Sequence, residues 1–203
     1  MTWFILHSIG IMAYAATGAL VALESNYSFI GVFVLGLATS FGGSIIRNLL
    51  IGAPITTLWD GSTLAIALGT LTFIVLIPYK WFKHWKTWGL FFDSIGLASF
   101  ALQGAMSAAA IHVHTGLIFI SALFTGLGGG MIRDLFAQRR PLALKEEIHA
   151  ILTLLCGACV WLGWTQPLQL TITVFTVVSL RMLAIKYQWH WHLPCNLRTH
   201  KIT

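Results

Sequence analysis

Charge is scarce in this chain. Only 9% of its 203 residues are Asp, Glu, Lys or Arg, against about 25% in an average soluble domain. Cysteine is nearly absent: Cys156, Cys159 and Cys195 are too few and too scattered for a disulfide framework. No polar stretch is long enough to hold an extramembrane domain. The apolar first 23 residues lack the basic n-region of a cleaved signal, so they are expected to remain as a transmembrane helix. Reactive constellations are missing as well. There is no Ser/His/Asp set, no pair of carboxylates at useful spacing and no phosphate loop, and Gly126-Leu-Gly128 follows no strand, as a dinucleotide fingerprint would require. No catalytic residue and no cofactor are expected, and an enzyme is the least favoured class.

What is present is apolar. The hydrophobic fraction is 57% and mean hydropathy is +0.82, so the chain reads as an all-α integral membrane protein with the lipid bilayer as its partner. The net charge of +6 is then a topology signal and not a nucleic-acid one. A span needs about 20 apolar residues. Seven candidates run roughly over 3–23, 28–52, 61–78, 88–110, 113–137, 147–164 and 168–187, followed by a tail over 188–203, all in one membrane domain over 1–203. Lys80, Lys83 and Lys86 lie between the third and fourth spans, Arg139, Arg140 and Lys145 between the fifth and sixth, and Arg181, Lys186, Arg198 and Lys201 at or beyond the end of the seventh. With seven spans these fall on one side, which places the C-terminus in the cytoplasm and the N-terminus outside a bacterial-type inner membrane. Trp81, Trp85, Trp88, Trp189 and Trp191 flank the basic segments as interfacial anchors.

Two stretches do not fit an ordinary span. Thr125-Gly-Leu-Gly128-Gly129-Gly130-Met-Ile-Arg133-Asp134 puts a glycine run and adjacent Arg and Asp residues inside an apolar segment. Glycine costs a helix about 1 kcal/mol per residue relative to alanine, and an arginine at membrane depth at least about 2.5–3.5 kcal/mol. The same pattern stands 86 residues earlier as Thr39-Ser-Phe-Gly42-Gly43-Ser44-Ile-Ile-Arg47-Asn48. His7-Ser-Ile-Gly10 matches Asp93-Ser-Ile-Gly96 at the same offset. Spans one to three (about 3–78) therefore repeat as spans four to six (about 88–164), with the seventh left over. Three spans is an odd number, so the second copy enters the membrane from the opposite side: an inverted repeat.

The glycines are expected to break the second and fifth helices at Gly42, Gly43 and Ser44 and at Gly128, Gly129 and Gly130. Freed backbone is tolerated at that depth only against protein or a water-filled cavity. Arg47 and Arg133 would point into one polar interior from opposite halves. Asp134 can pair with either arginine, whereas Asn48 at the matching place supplies no charge. The competing reading is that the glycines serve only close helix packing, as Gly36-xxx-Ser40 and Ala101-xxx-Ala105 do, and that the arginines form structural ion pairs or snorkel. Asp93 fits a pore mouth, an arginine partner or a solvated helix N-terminal acid equally well. His112 and His114 read as solvated turn residues. Cys156-Gly-Ala-Cys159 reads as small core residues, and His190-Trp-His192-Leu-Pro-Cys195 as an interfacial tail without the closed ligand set of a metal site.

The doubled glycine–arginine signature, the chain length and the three-plus-three-plus-one span pattern resemble the prokaryotic branch of the trimeric intracellular cation (TRIC) channel family, whose bacterial sequences are also labelled glycine transporters. The resemblance covers the chain to about residue 187. It implies a homotrimer of seven-helix protomers, each with its own path for monovalent cations, chiefly potassium and also sodium, between the inverted repeats. By resemblance, Gly42, Gly43, Ser44, Gly128, Gly129 and Gly130 form the kinks. Arg47, Asn48, Arg133, Asp134 and Asp93 line or gate the path, and lipid is the one other ligand to expect. The rival is a carrier for a small zwitterion such as glycine, since an arginine facing a cavity suits a carboxylate. A third class is a membrane protein that conducts nothing and uses the motif for packing.

Overall fold

A computed structural model describes residues 2–77, 85–111 and 114–187. Their regular structure is all helical: α1 (Thr2–Glu24), α2 (Phe29–Ile51), α3 (Gly61–Leu76), α4 (Trp85–Ala110), α5 (Thr115–Phe136), the short α6 (Leu142–Lys145), α7 (Glu147–Trp161) and α8 (Pro167–Lys186). Five of them, α1, α2, α4, α5 and α8, are long and apolar enough to cross a membrane, while α3 and α7 are apolar but shorter. Lys80, Lys83, Trp81, His112, Trp189, His190, Trp191, His192, Cys195, Arg198 and Lys201 lie outside the described residues, as do the side chains of Trp85 and Lys86.

Local chemistry sets the boundaries. Asn26 takes a left-handed φ of 57° that turns the chain after α1. Ser28 then caps α2, its hydroxyl accepting the Gly31 N–H. Gly52 closes α2 at φ 68°, its N–H returning to the Asn48 carbonyl. Pro167 opens α8 at a position whose N–H would be unpaired in any case.

The duplication is built into these boundaries. Helices α1 and α4 end at 24 and 110, α2 and α5 begin at 29 and 115, and α3 and α7 begin at 61 and 147, each pair 86 apart. Contacts between the copies are reciprocal. Gly10 sits under the Phe100 ring and Gly96 under the Tyr14 ring. Gly42 faces Ile132 and Gly128 faces Ile46. Exchanging partners and shifting by the repeat turns one member of each pair into the other, as a two-fold axis requires. Moving from residue 10 to 14 in α1 runs from 100 to 96 in α4, so matched helices are antiparallel and the axis lies across them.

Helices α1 and α4 are the most buried of the five long helices and α8 the least. Both α1 and α4 are lined with buried alanines: Ala15, Ala16, Ala19 and Ala22 on α1 belong to a core shared with α2 and α3, and Ala98, Ala101, Ala105 and Ala108 on α4 to one shared with α5 and α7. The outer faces stay apolar, with Phe29, Ile30, Phe73, Leu76, Leu168 and Phe175 exposed. Such a surface suits hydrocarbon and not water.

One expectation fails here. Helices α2 and α5 run unbroken through Gly42, Gly43 and Ser44 and through Gly128, Gly129 and Gly130. The glycines are used for proximity. A Cβ on Gly43 would lie 2.4 Å from the Thr125 carbonyl oxygen, and one on Gly129 would lie 2.5 Å from the Thr39 carbonyl oxygen. The two backbones touch at symmetry-related points, and the α-helical hydrogen bonds are kept because nothing forces them open.

Candidate functional site

At one end of the bundle five ionisable side chains from four helices meet. Asp93 on α4 accepts from Arg133 Nη1 on α5 and from Arg181 Nη2 on α8, both at 2.5 Å. Arg133 Nε donates to Asp134 Oδ1 at 2.8 Å, and the other Asp134 oxygen accepts the Leu142 N–H of α6 at 3.0 Å. His149 on α7 lies with Nε2 2.5 Å from Arg181 Nη2 and Nδ1 3.2 Å from the Glu146 carbonyl. Asp93, Arg133, Asp134, His149 and Arg181 are all buried. Two guanidiniums and two carboxylates make the cluster neutral, which is the condition for keeping arginine in a low-dielectric interior. Gly130 lies beside the cluster; a Cβ there would be 3.6 Å from Asp93 Oδ1.

The cluster opens into a cavity of about 250 Å³ lined by Thr17, Leu20, Val21, Glu24, Gly89, Leu90, Asp93, Arg133, Arg139 and Leu142. Arg139 bridges Glu24 at 2.8 Å and Ser25 at 3.0 Å at its rim. The other repeat holds a second cavity of about 380 Å³, lined by Trp3, Phe4, His7, Arg47, Asn48, Ile51, Ala53, Thr57, Leu58, Thr63 and Ser107. The two are images under the repeat: Trp3, Phe4, His7 and Arg47 correspond to Gly89, Leu90, Asp93 and Arg133, and Ser107 to Val21. They share no lining residue. Arg47 and Arg133 therefore face separate chambers at opposite ends, not the single interior expected from the sequence.

Between the chambers the backbones of α2 and α5 meet. The glycine crossing of α2 and α5 fills the middle, and the buried Tyr14 hydroxyl donates to the Gly126 carbonyl. Tyr14 also stacks on Phe100, with ring centroids 5.1 Å apart. On the far side His7 Nδ1 bonds Gln103 Oε1 at 2.7 Å, and Gln103 is fully buried.

The glycine transporter family model matches residues 4–78 and 90–165, most of the chain. The chain belongs to this family. The two matched segments are its two repeats. UPF0126 membrane protein YvgT of Bacillus subtilis (strain 168) is 45% identical over 196 residues, 96% of each chain. UPF0126 inner membrane protein YadS of Escherichia coli (strain K12) is 29% identical over 195 residues, 93% of each. Among solved structures, a prokaryotic TRIC channel in 0.5 M KCl matches with a TM-score of 0.85 at 30% identity, over 93% of this chain and 98% of that one. The TRIC trimeric intracellular cation channel orthologue from Rhodobacter sphaeroides matches at 0.80 and 26%, over 92% and 98%. The resemblance to prokaryotic TRIC channels thus extends through the fold, and family membership makes the protein a channel or transporter and not an enzyme.

Within this family fold, Arg181 corrects the sequence reading most. It counts there as a basic residue at the end of the last span, yet it is fully buried against Asp93. An arginine between Leu180 and Met182, with no acid on its own helix, needs a distant counter-charge. Asp93 was the candidate at hand. His149 and Tyr14 carried no such signal, since histidine and tyrosine are unremarkable in an apolar helix. Cys156 and Cys159 are free thiols, Cys156 within the core of α4, α5, α7 and α8.

Proposed function

We propose that the protein is a potassium-permeable monovalent cation channel, assembled as a homotrimer, with a path through each protomer between the repeats. The observation that carries the reading is the pair of symmetry-related chambers separated by one glycine-lined crossing. Seven spans complete the proposal, with α3 and α7 as the short ones. The names of the similar solved structures, TRIC cation channels at 26–30% identity, support it. Conduction requires the crossing to part. The carbonyls of Thr39, Thr125 and Gly126 that meet there would then face the passing cation in place of water. Gly42, Gly43, Ser44, Gly128, Gly129 and Gly130 form the movable seam, and Arg47, Asn48, Asp93, Arg133 and Asp134 set the charge at its two ends.

Purified protein in a planar bilayer is expected to pass current whose reversal potential follows the potassium gradient. Silence at all voltages and pH values would defeat the proposal. The second reading is a carrier for glycine, favoured by the family model's description. Saturable glycine uptake by proteoliposomes, without potassium current, would select it.

The proposed orientation has the N-terminus outside and the C-terminus in the cytoplasm of an inner membrane. In a background with Cys156, Cys159 and Cys195 replaced by serine, Glu24→Cys and Ala110→Cys should react with membrane-impermeant maleimide from opposite sides, Glu24→Cys from the cytoplasm. Labelling of both from one side is incompatible with inverted repeats.

A further inference from the structure

In the proposed orientation the Arg47 chamber is the outer one and the Arg133 chamber the inner one, and they differ in the charge that meets the arginine. In the inner one, Arg133 Nη1 donates to the Asp93 carboxylate, and Arg133 Nε to Asp134. The repeat turns Asp93 into His7 and Asp134 into Asn48. In the outer chamber Arg47 Nε and Nη2 both donate to Asn48 Oδ1, at 3.1 and 3.0 Å. Arg47 Nη1, the atom matching the one that Asp93 satisfies, is buried and has no hydrogen-bond partner among the described residues. Arg47 is only 6% exposed and lines the cavity of about 380 Å³, whose lining contains no acid. A buried guanidinium with one unused nitrogen and no counter-charge is costly, and the fold has already shown, 86 residues on, which group relieves it.

We propose that the outer chamber binds a small carboxylate from solution, which takes the place at Arg47 that Asp93 takes at Arg133. A carboxylate fits because a guanidinium meets its two oxygens in a planar, charge-assisted arrangement that a spherical anion cannot match. Thr63 and Ser107 add hydroxyl donors around the same cavity. A zwitterion is disfavoured, because no lining acid receives its ammonium group. Trp3 lies over the guanidinium, its ring centroid 5.9 Å from Arg47 Cζ, and the ring turns aside to admit the ligand. The inference is independent of conduction, since binding is read without any ion flux.

The test uses acetate as probe and the full-length protein in detergent, with sodium chloride at equal ionic strength as control. Saturating acetate is expected to raise the unfolding midpoint by several degrees, as a ligand binding only the folded state does. Saturation-transfer NMR should show magnetisation passing from protein to the acetate methyl group. Asn48→Asp, which supplies the missing charge from within, should abolish both responses; His7→Asp serves if that variant does not fold. Equal responses in acetate and chloride, or an Asn48→Asp protein as sensitive as the parent, would overturn the assignment. A shift produced by phosphatidylglycerol in nanodiscs but not by acetate would also overturn it, and would give the site to a lipid headgroup.

Discussion

Asp93→Asn is expected to be among the most damaging single changes in this protein, costing about 3–5 kcal/mol, the range for removing one partner of a buried ion pair. Asp93 is the shared acceptor for Arg133 and Arg181. Asparagine keeps the shape and can still accept one hydrogen bond, but the charge is lost and its amide presents donors to two guanidiniums. Asp134 can neutralise only Arg133, which leaves Arg181 buried with His149 as its neighbour. The measurement is the thermal or denaturant midpoint in detergent, with folded yield as the first sign. Removing the stranded cation should restore part of the loss. Asp93→Asn combined with Arg181→Met is expected to be more stable than Asp93→Asn alone, because the methionine fills the space without a charge. If the double variant is as unstable as the sum of the two single ones, Asp93 and Arg181 are not coupled.

The same cluster explains how α8 is held. It has no counterpart in the repeats, and it is the least buried of the long helices. Apolar packing between helices gains little over packing against lipid, so polar contacts carry more of the specificity there. Arg181 supplies one by reaching Asp93 on the central α4. The unrepeated helix is thus keyed to the repeat whose matching position holds an acid, since in the other copy His7 stands where Asp93 would be.

Much of this is legible in the sequence. The constant offset between Gly42 and Gly128 and between Arg47 and Arg133 announced the duplication, and the helix boundaries keep that offset. The apolar runs marked the helices. Two things were not legible, for different reasons. Glycine removes a side chain whether the helix is to bend or to be touched, and spacing along one strand of sequence does not say which. The arbiter is the carbonyl of a residue 86 positions from its own repeat mate, Thr125 for Gly43 and Thr39 for Gly129. Arg181 was hidden by its place near the end of a hydrophobic run, where a basic residue ordinarily marks the cytoplasmic interface. Its true partner lay on another helix.

That distinction between bending and touching leads to the second large effect. Gly43→Ala and Gly129→Ala are expected to destabilise the protein severely and to abolish any transport activity, while Gly116→Ala and Gly69→Ala leave both near the parental level. A Cβ at Gly43 or Gly129 meets a backbone carbonyl oxygen at 2.4 or 2.5 Å, and a backbone atom cannot rotate away as a side chain can. Helices α2 and α5 would have to separate, at a cost of at least about 1–3 kcal/mol for overpacking. At Gly116 and Gly69 a Cβ meets nothing within 4 Å, and alanine is the better helix former by about 1 kcal/mol. Gly42→Ala and Gly128→Ala should fall between, because their nearest contacts are the ends of the Ile132 and Ile46 side chains, which have freedom to move, with the Gly43 backbone Cα at a looser 3.3 Å from a Cβ on Gly128. If the glycines were hinges, the order would differ: Gly42 and Gly128 would matter as much as their neighbours, since a hinge depends on backbone freedom and not on what lies opposite. Unfolding midpoints for the six single variants, read beside conductance or uptake, separate the two cases. Alanine tolerated at both Gly43 and Gly129 would refute the close crossing.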